Sequence, residues 1–463
     1  METRASSAAR RRWVNPSVLA LGVDEPVKWI TERARALVFR AIEAGWSGPP
    51  FDPIALAGML NIPVHPSQEV LDARLVPQHG GARIDFNPNR PPGRIRYSIA
   101  HEIGHSLFPD HLASARHRVE PGGHLDRGSS ELEMLCNLAA AELLMPIGSF
   151  PEARSAALGI DSVLDLRTRY DLSTEAVLLR VGRLASDPVG IFAAAPRGKL
   201  AADGYRIDYV IAPEATWVRA RRGDLVPSGS AVQECTAVGF TAKGTERWPR
   251  TATTVRVECV GIPPYPGQSL PRVAGLLLET APHETPHHAI RFLVGDATEP
   301  RGPGSRIIVQ IVNDATPRWG GGFSREIHYK WRQVENDFQE WSRQQGGLRL
   351  GALHVSEVAQ DLAVASMVAQ HGYGPSARPR IRYAALQQCL RDVADVALQR
   401  GASVHAPRIG AGQAGGNWAI IEEMISDALV ARGIDVTIYD LAGASRPSGE
   451  QADHLQIPLS LAT

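Results

Sequence analysis

Through residues 27–188 apolar positions recur mostly at helical spacing, and extended runs are confined to about 62–86. Ile99, Ile103 and Leu107 stand at i, i+4 and i+8, a stripe that anchors one helix face in a core. A second helix is predicted from Ser129, serine-capped at its start and stopped by Pro146. Residues 161–185 keep the same period and close this part of the chain. The texture changes near Asp187-Pro188. From Val189 to Thr285 glycine and proline are frequent, and short alternating runs such as 205–211 and 254–260 predict a small β-rich domain. Residues 281–288, with Pro282 and Pro286, read as a linker. Beyond Ala289 strand, loop and helix alternate, with strands at 307–312, 403–407 and 435–439, which implies an α/β sheet domain.

These shifts divide the chain into a flexible arm at 1–26, a helical domain at 27–188, a β-rich domain at 189–285, a linker at 286–289, an α/β domain at 290–445 and a loose tail at 446–463. A length of 463 residues is too great for one core and agrees with that division. Apolar content of 44% and charged content of 21% are those of a soluble globular protein. Equal counts of 49 basic and 49 acidic residues argue against strong direct binding to nucleic acid. The run Arg219-Ala220-Arg221-Arg222 reads as a solvated charged edge. Cys136, Cys235, Cys259 and Cys389 are scattered without paired spacing, which fits buried free thiols in a reducing compartment. No apolar run is long enough to span a bilayer, and Arg10-Arg11-Arg12 is followed by Trp13-Val14-Asn15-Pro16, not by the apolar segment of a secretory signal. A cytoplasmic protein with no membrane partner is expected.

Chemistry concentrates first at His101-Glu102-Ile103-Gly104-His105. On a helix the two imidazoles project from one face, one turn apart, as two ligands of a single Zn²⁺ must. Glu102 lies beside them, placed to take a proton from the attacking water. Such a site needs a third protein ligand. His111 falls at the third-histidine position of a longer pattern, but Phe108 stands where that pattern has glycine. Glu133 is the other candidate; it shares a helix face with Asn137 and Ala140, and its spacing from Ser130 also fits a capping box.

Ala100-His-Glu-Ile-Gly-His105, followed by Glu133-x-x-Cys136-Asn137-x-x-Ala140-Ala141-x-Leu143-Leu144-Met145-Pro146, resembles the ImmA/IrrE family of metallopeptidases. Residues 51–57 and 61–64 resemble that family's N-terminal helix and first strand, and 82–88 the edge strand beside its active site. The resemblance covers about residues 27–188. It implies His101, His105 and Glu133 as zinc ligands, Glu102 as general base, and a helix-turn-helix repressor of stress or mobile-element genes as the protein cleaved.

A second constellation lies in the α/β region. Asn313 is followed by Trp319-Gly320-Gly321-Gly322-Phe323-Ser324, and the strand ending at Pro407 by Arg408-Ile409-Gly410-Ala411-Gly412-Gln413-Ala414-Gly415-Gly416. Two glycine loops that each leave a strand and open a helix can present backbone N–H groups to a pyrophosphate. Gly410-x-Gly412-x-x-Gly415 also satisfies the dinucleotide fingerprint, but only one strand remains after it, too few for the fold that fingerprint opens.

With Gly295-Asp296-Ala297-Thr298, Val368-Ala369-Gln370-x-Gly372 and the strand at 436–440, these loops resemble a macro domain, the fold that binds ADP-ribose. The resemblance implies that Asp296 accepts a hydrogen bond from the adenine amino group, that Ala297 also belongs to the ADP-ribose site, that Asn313 and Gly320, Gly321, Gly322 and Phe323 border the distal ribose, and that Gly410, Gly412, Ala414, Gly415 and Gly416 wrap the diphosphate. Catalytic members of the fold carry an aspartate where this chain has Ser324, or a lysine where it has Gln370. Binding of ADP-ribose or of an ADP-ribosylated partner is therefore expected ahead of its hydrolysis.

The expectation as a whole is an α+β multidomain protein: a zincin-like metallopeptidase domain, a small β-rich middle domain and a C-terminal three-layer α/β macro domain. The alternative is an ADP-ribosyl hydrolase or ADP-ribose reader whose zinc module serves only to dock partners.

Overall fold

The computed structural model describes residues 13–112, 116–117, 127–150, 158–185, 188–198, 203–212, 217–251, 253–265, 268–280, 290–344, 348–374 and 376–441. The expected linker at 286–289 and tail at 446–463 lie outside them. The chain folds into two compact units: Met1–Val38 with Gly48–Pro146 and Phe150–His283, and Phe39–Ser47 with Ile147–Ser149 and Glu284–Thr463.

The first unit opens with α1 (Pro16–Leu19), the part of α2 (Pro26–Glu43) up to Val38, and α3 (Pro53–Met59). Asn15 caps α1 through its side chain, and the amides of Val14 and Asn15 donate to Glu131 at 2.7 and 3.0 Å. Val14 and Asn15, expected within a loose arm, are thus bonded to a buried carboxylate; residues 1–12 lie outside the described chain. A four-stranded sheet follows, β1 (Val64–Pro66), β2 (Ala73–Gln78), β3 (Gly81–Phe86) and β4 (Arg116–His117), in the order β1-β3-β2-β4. The segment expected as the edge strand is therefore internal: β3 pairs with β1 on one side and β2 on the other. It is β2 that stands beside the site helix, because β4 covers it only at Arg74 and Leu75.

The long helices α4 (Pro92–Ser106) and α5 (Arg127–Leu144) pack on each other, and α6 (Ile160–Tyr170) and α7 (Thr174–Leu184) complete the helical part. α5 begins at Arg127, so Ser130 is already inside the helix and does not cap it. The β-rich segment forms a five-stranded antiparallel sheet of β5 (Gly190–Pro196), β6 (Tyr205–Ile211), β7 (Thr241–Glu246), β8 (Val255–Ile262) and β9 (Arg272–Glu279), ordered β6-β5-β9-β8-β7. It shares a compact unit with the helices. The amide of Ile160 at the start of α6 donates to Glu258 of β8 at 2.9 Å, and Arg272 of β9 reaches Glu175 of α7 at 2.8 Å. Gly182 of α7 lies so close to Ile191 of β5 that a Cβ there would meet it at 2.5 Å.

In the second unit six strands form one sheet: β10 (Arg291–Val294), β11 (Arg306–Asn313), β12 (Leu353–Ala359), β13 (Leu362–Gln370), β14 (Ser403–Pro407) and β15 (Val436–Asp440), in the order β10-β15-β14-β11-β13-β12. All neighbours are parallel except β12 against β13. Buried runs such as Ile307-Ile308-Val309 reflect a sheet covered on both faces. One face packs against α10 (Tyr383–Arg400) and α11 (Trp418–Ala428), the other against α8 (Gly322–Lys330) and α9 (Arg332–Gln344), giving three layers. β14 and β11 are adjacent and parallel, so the loops leaving their C-terminal ends emerge side by side, where ligands of such sheets bind.

Candidate metal centre and glycine loops

The first site forms where α4 crosses α5. A Cβ on Gly104 would lie 3.0 Å from the Cys136 carbonyl and 3.1 Å from the Ala139 Cβ, so only glycine and alanine let the two backbones come this close. The approach brings Glu133 over the histidine face. Its Oε2 lies 3.0 Å from Nε2 of His101 and its Oε1 3.4 Å from Nε2 of His105. His101, Glu102 and His105 are buried, and their ligand-type atoms all lie within 4.8 Å of one another.

The ring nitrogens turned away from Glu133 are also engaged. Nδ1 of His101 is 2.9 Å from Oδ1 of Asn137, which also accepts from the Tyr97 phenol at 3.0 Å, and Nδ1 of His105 is 3.3 Å from Sγ of Cys136. Glu102 Oε2 accepts the Leu75 amide of β2 at 2.8 Å, which fixes the carboxylate beside the two imidazoles. Burial alone would push the Glu133 carboxyl up; hydrogen bonds and charge from His101 and His105 outweigh it and bring its pKa to about 2. His111, the other sequence candidate, turns its Nδ1 to the Phe108 carbonyl at 2.7 Å.

Two imidazole nitrogens and one carboxylate therefore converge on one buried point. Ligands with bonds of about 2.0–2.1 Å around a tetrahedral Zn²⁺ stand roughly 3.3 Å apart, and the separations from Glu133 match that scale. The residues present fit a His₂Glu metal site. Cys136 and Asn137 follow Glu133 by three and four positions, so helical spacing carried them to the same face. The Leu75 amide had no sequence signal, since it is backbone from a distant strand.

The second site lies at the C-terminal ends of β11 and β14. Asn313 closes β11 and its Oδ1 accepts the amides of Ala315 and Thr316 at 3.0 and 2.8 Å, which sets the turn into the first glycine loop. Gly320 and Gly321 lead to Gly322 and Phe323 in the first turn of α8, and Gly322 has a left-handed φ of +61°. In the second loop Gly410 (φ +73°) and Gly415 (φ +68°) are left-handed, and the Gly416 amide donates to the Gly410 carbonyl at 2.8 Å. The Ala414 carbonyl accepts the amides of Arg380 and Ile381, while Gly412 has open space around it.

The two loops meet through Gln413, whose amide oxygen would be 3.4 Å from a Cβ on Gly321 or Gly322. Asp296 accepts the Thr298 amide at 2.8 Å and is exposed, whereas Ala297 is buried. Arg408 pairs through two hydrogen bonds with Asp440 and lies over the rings of Trp418 and Phe292 at 5.0 and 5.2 Å. Neither Gln413 nor Arg408 was singled out by sequence pattern, because a glutamine between glycines and an arginine before them are unremarkable until the loops are folded together.

A family model, the IrrE N-terminal-like domain, matches residues 61–181. The chain is 33% identical over 132 residues to the radiation response metalloprotease IrrE of Deinococcus radiodurans, covering 28% of this chain and 38% of that protein. It is 30% identical over 181 residues to the chromodomain-helicase-DNA-binding protein 1-like of Mus musculus, covering 37% of this chain and 20% of that protein. Among solved structures, a macrodomain protein from Streptomyces coelicolor is 40% identical and matches 33% of this chain and 98% of its own, with a TM-score of 0.29. The chain spans only about a fifth to two fifths of the curated relatives it matches. It resembles an IrrE-type metallopeptidase over one stretch and macrodomain proteins over another.

Proposed function

We propose that this chain, IrrE-like over residues 61–181 and similar to a macrodomain protein over 33% of its length, is a zinc-dependent endopeptidase joined to a macro domain that binds ADP-ribose or an ADP-ribosylated partner. The observation that carries the peptidase reading is the meeting of His101, His105 and Glu133 at one buried point with Glu102 beside it. Those three residues would hold the metal, which, when bound, supplies Lewis acidity to the scissile carbonyl and to the attacking water. Glu102 would accept the proton of that water and pass it to the leaving amine. The Leu75 amide holds one carboxylate oxygen of Glu102 in place, and Asn137 and Cys136 orient the two imidazoles.

A helix-turn-helix repressor of stress genes is the proposed protein substrate, and the cytoplasm the proposed compartment. No helix among the described residues is long and apolar enough to cross a membrane. For the macro domain we assign Asp296 and Ala297 to the adenine, Asn313 and residues 320–323 to the distal ribose, and residues 410–416 to the diphosphate. Parallel strands that deliver both glycine loops to one edge of the sheet support that assignment.

Glu102→Gln tests the peptidase reading. The variant keeps the amide-to-side-chain bond at Leu75 and all three ligands, so it should retain metal and lose turnover. A pull-down with it should hold the substrate uncut. Cleavage of a bound repressor by this variant at the unmutated rate would overturn the mechanism.

A further inference from the structure

The five-stranded sheet of the first unit carries a feature that neither the peptidase nor the macro-domain reading uses. Arginines from three separate stretches gather at one place: Arg197 after β5, Arg219 and Arg221 before the turn at Asp224, and Arg247 and Arg250 after β7. They line two hollows, of about 680 and 620 Å³, that share Arg250. Among the described residues, the walls of the two hold five arginines and one acidic residue, Asp203. The run at 219–222 thus has a structural setting that sequence alone did not give it: it is one side of a concave basic surface.

The scaffold beneath these arginines is built rather than loose. Asp224 accepts Nε and a terminal nitrogen of Arg250, both at 3.1 Å, and also the backbone amide of Arg221 at 2.9 Å. One carboxylate therefore fixes the Arg221 turn and the Arg250 side chain together. Arg250 adopts a left-handed φ of +60°, a backbone state unfavourable for a non-glycine residue. Arg197, Arg219 and Arg247 enter no ion pair among the described residues. Between them the floor is apolar, formed by Leu225, Val226 and Pro249 over the buried Trp248.

We propose that this cleft binds a small phosphorylated organic molecule, its phosphates received by Arg197, Arg247 and Arg250 and its body laid on the apolar floor. Guanidinium groups pair with phosphate oxygens in a planar two-point fashion that suits this role. Each hollow falls within the size range of small-molecule sites, roughly 300–1,000 Å³. A nucleic acid backbone would instead call for a long basic track, and the balanced charge of 49 basic against 49 acidic residues offers little support for one.

The test is calorimetric titration of the full chain with inorganic pyrophosphate. Saturable binding should weaken at least about tenfold in Arg197→Ser/Arg247→Ser, as expected for the loss of charge-assisted contacts. Arg247→Lys should recover part of it, and Arg167→Ser, exposed on α6 and outside the cleft, should leave it unchanged. A thermal melt matching that of the unmutated protein shows that the double variant is folded. Binding that survives intact in the folded double variant, as it would if only the glycine loops took pyrophosphate, overturns the proposal. So does tighter, arginine-dependent binding of a 20-base-pair duplex, which would make the surface a nucleic-acid site.

Discussion

Oδ1 of Asn137 stands 2.9 Å from Nδ1 of His101 and accepts the Tyr97 phenol as well. An amide oxygen can only accept, so His101 donates from Nδ1 to Asn137, and Nε2, on the Glu133 side, is the nitrogen that would hold the metal. Asn137→Ala should therefore weaken zinc binding by roughly 10- to 100-fold while leaving the three ligands in place. Competition against a chromogenic chelator measures it, and an unchanged affinity would mean that the helix alone orients His101.

The third ligand separates on metal content. Glu133→Ala removes the carboxylate whose oxygens lie 3.0 and 3.4 Å from the two Nε2 atoms, so most bound zinc should be lost. His111→Ala removes a ring whose Nδ1 is spent on the Phe108 carbonyl and should keep it. Elemental analysis of the two purified variants decides, and the reverse result would transfer the ligand role to His111.

How much of this was legible in the sequence differs from place to place for physical reasons. The helix of His101 and His105 was readable because the spacing of the two histidines and the apolar stripe through Ile99 and Ile103 share the helical period, and both isoleucines are buried. The parallel strands around Ile307 and Val404 were readable because a doubly covered strand is a continuous apolar run. What stayed hidden depends on partners distant in sequence. Glu131 ties down Val14 and Asn15 across more than a hundred positions, so the start of α1 looked loose. Glu258 and Arg272 bind α6 and α7, so a sheet that reads as a separate domain shares a unit with the helices. Cys235 and Cys259 show no paired spacing, yet their sulfurs lie 3.6 Å apart in the core of that sheet.

The glycine loops make a steric prediction. Gly410 has φ +73°, and a Cβ there would lie 3.0–3.2 Å from the tips of Ile421, Ile311 and Ile381. Gly410→Ala should distort the second loop and reduce ADP-ribose binding more than Gly412→Ala, which meets open space. Asp296→Ala should weaken binding by about 1–3 kcal/mol, the scale of a lost charged hydrogen bond. Calorimetry with ADP-ribose ranks the three; no binding by the unmutated chain would remove the ligand assignment.

Stability of the first unit should hinge on Glu142. This buried carboxylate accepts both terminal nitrogens of buried Arg180, at 2.5 and 3.0 Å, and lies 3.5 Å from Arg35. Desolvation raises its pKa, but Arg180 and Arg35 pull it below the ordinary value. Glu142→Ala would strand Arg180 in the core, with an expected loss of about 3–5 kcal/mol. Denaturant unfolding checks this, and Glu142→Ala combined with Arg180→Leu should recover part of the loss, because the charge of Arg180, the more deeply buried of the two arginines, is then gone.

Acid should act on the second unit through His405. Its imidazole is fully buried, with Nε2 2.8 Å from the Ser403 hydroxyl and Nδ1 3.1 Å from the Tyr439 hydroxyl. Burial, and then repulsion from Arg306 and Arg291, lower its pKa from 6.5 to about 4. The folded state thus holds the ring neutral, while the unfolded chain protonates it at the ordinary value. As pH falls through 6.5 the unfolded state begins to bind a proton that the folded state refuses, so stability declines down to about pH 4 and levels off below. A shift of this size corresponds to about 3 kcal/mol between the two limits. His405→Gln, which can still bond both hydroxyls, should flatten that part of the pH dependence. Histidine-labelled NMR gives the direct reading: the His405 ring should stay neutral through pH 5, and titration near 6.5 in the folded protein would show that the ring is not sequestered from water.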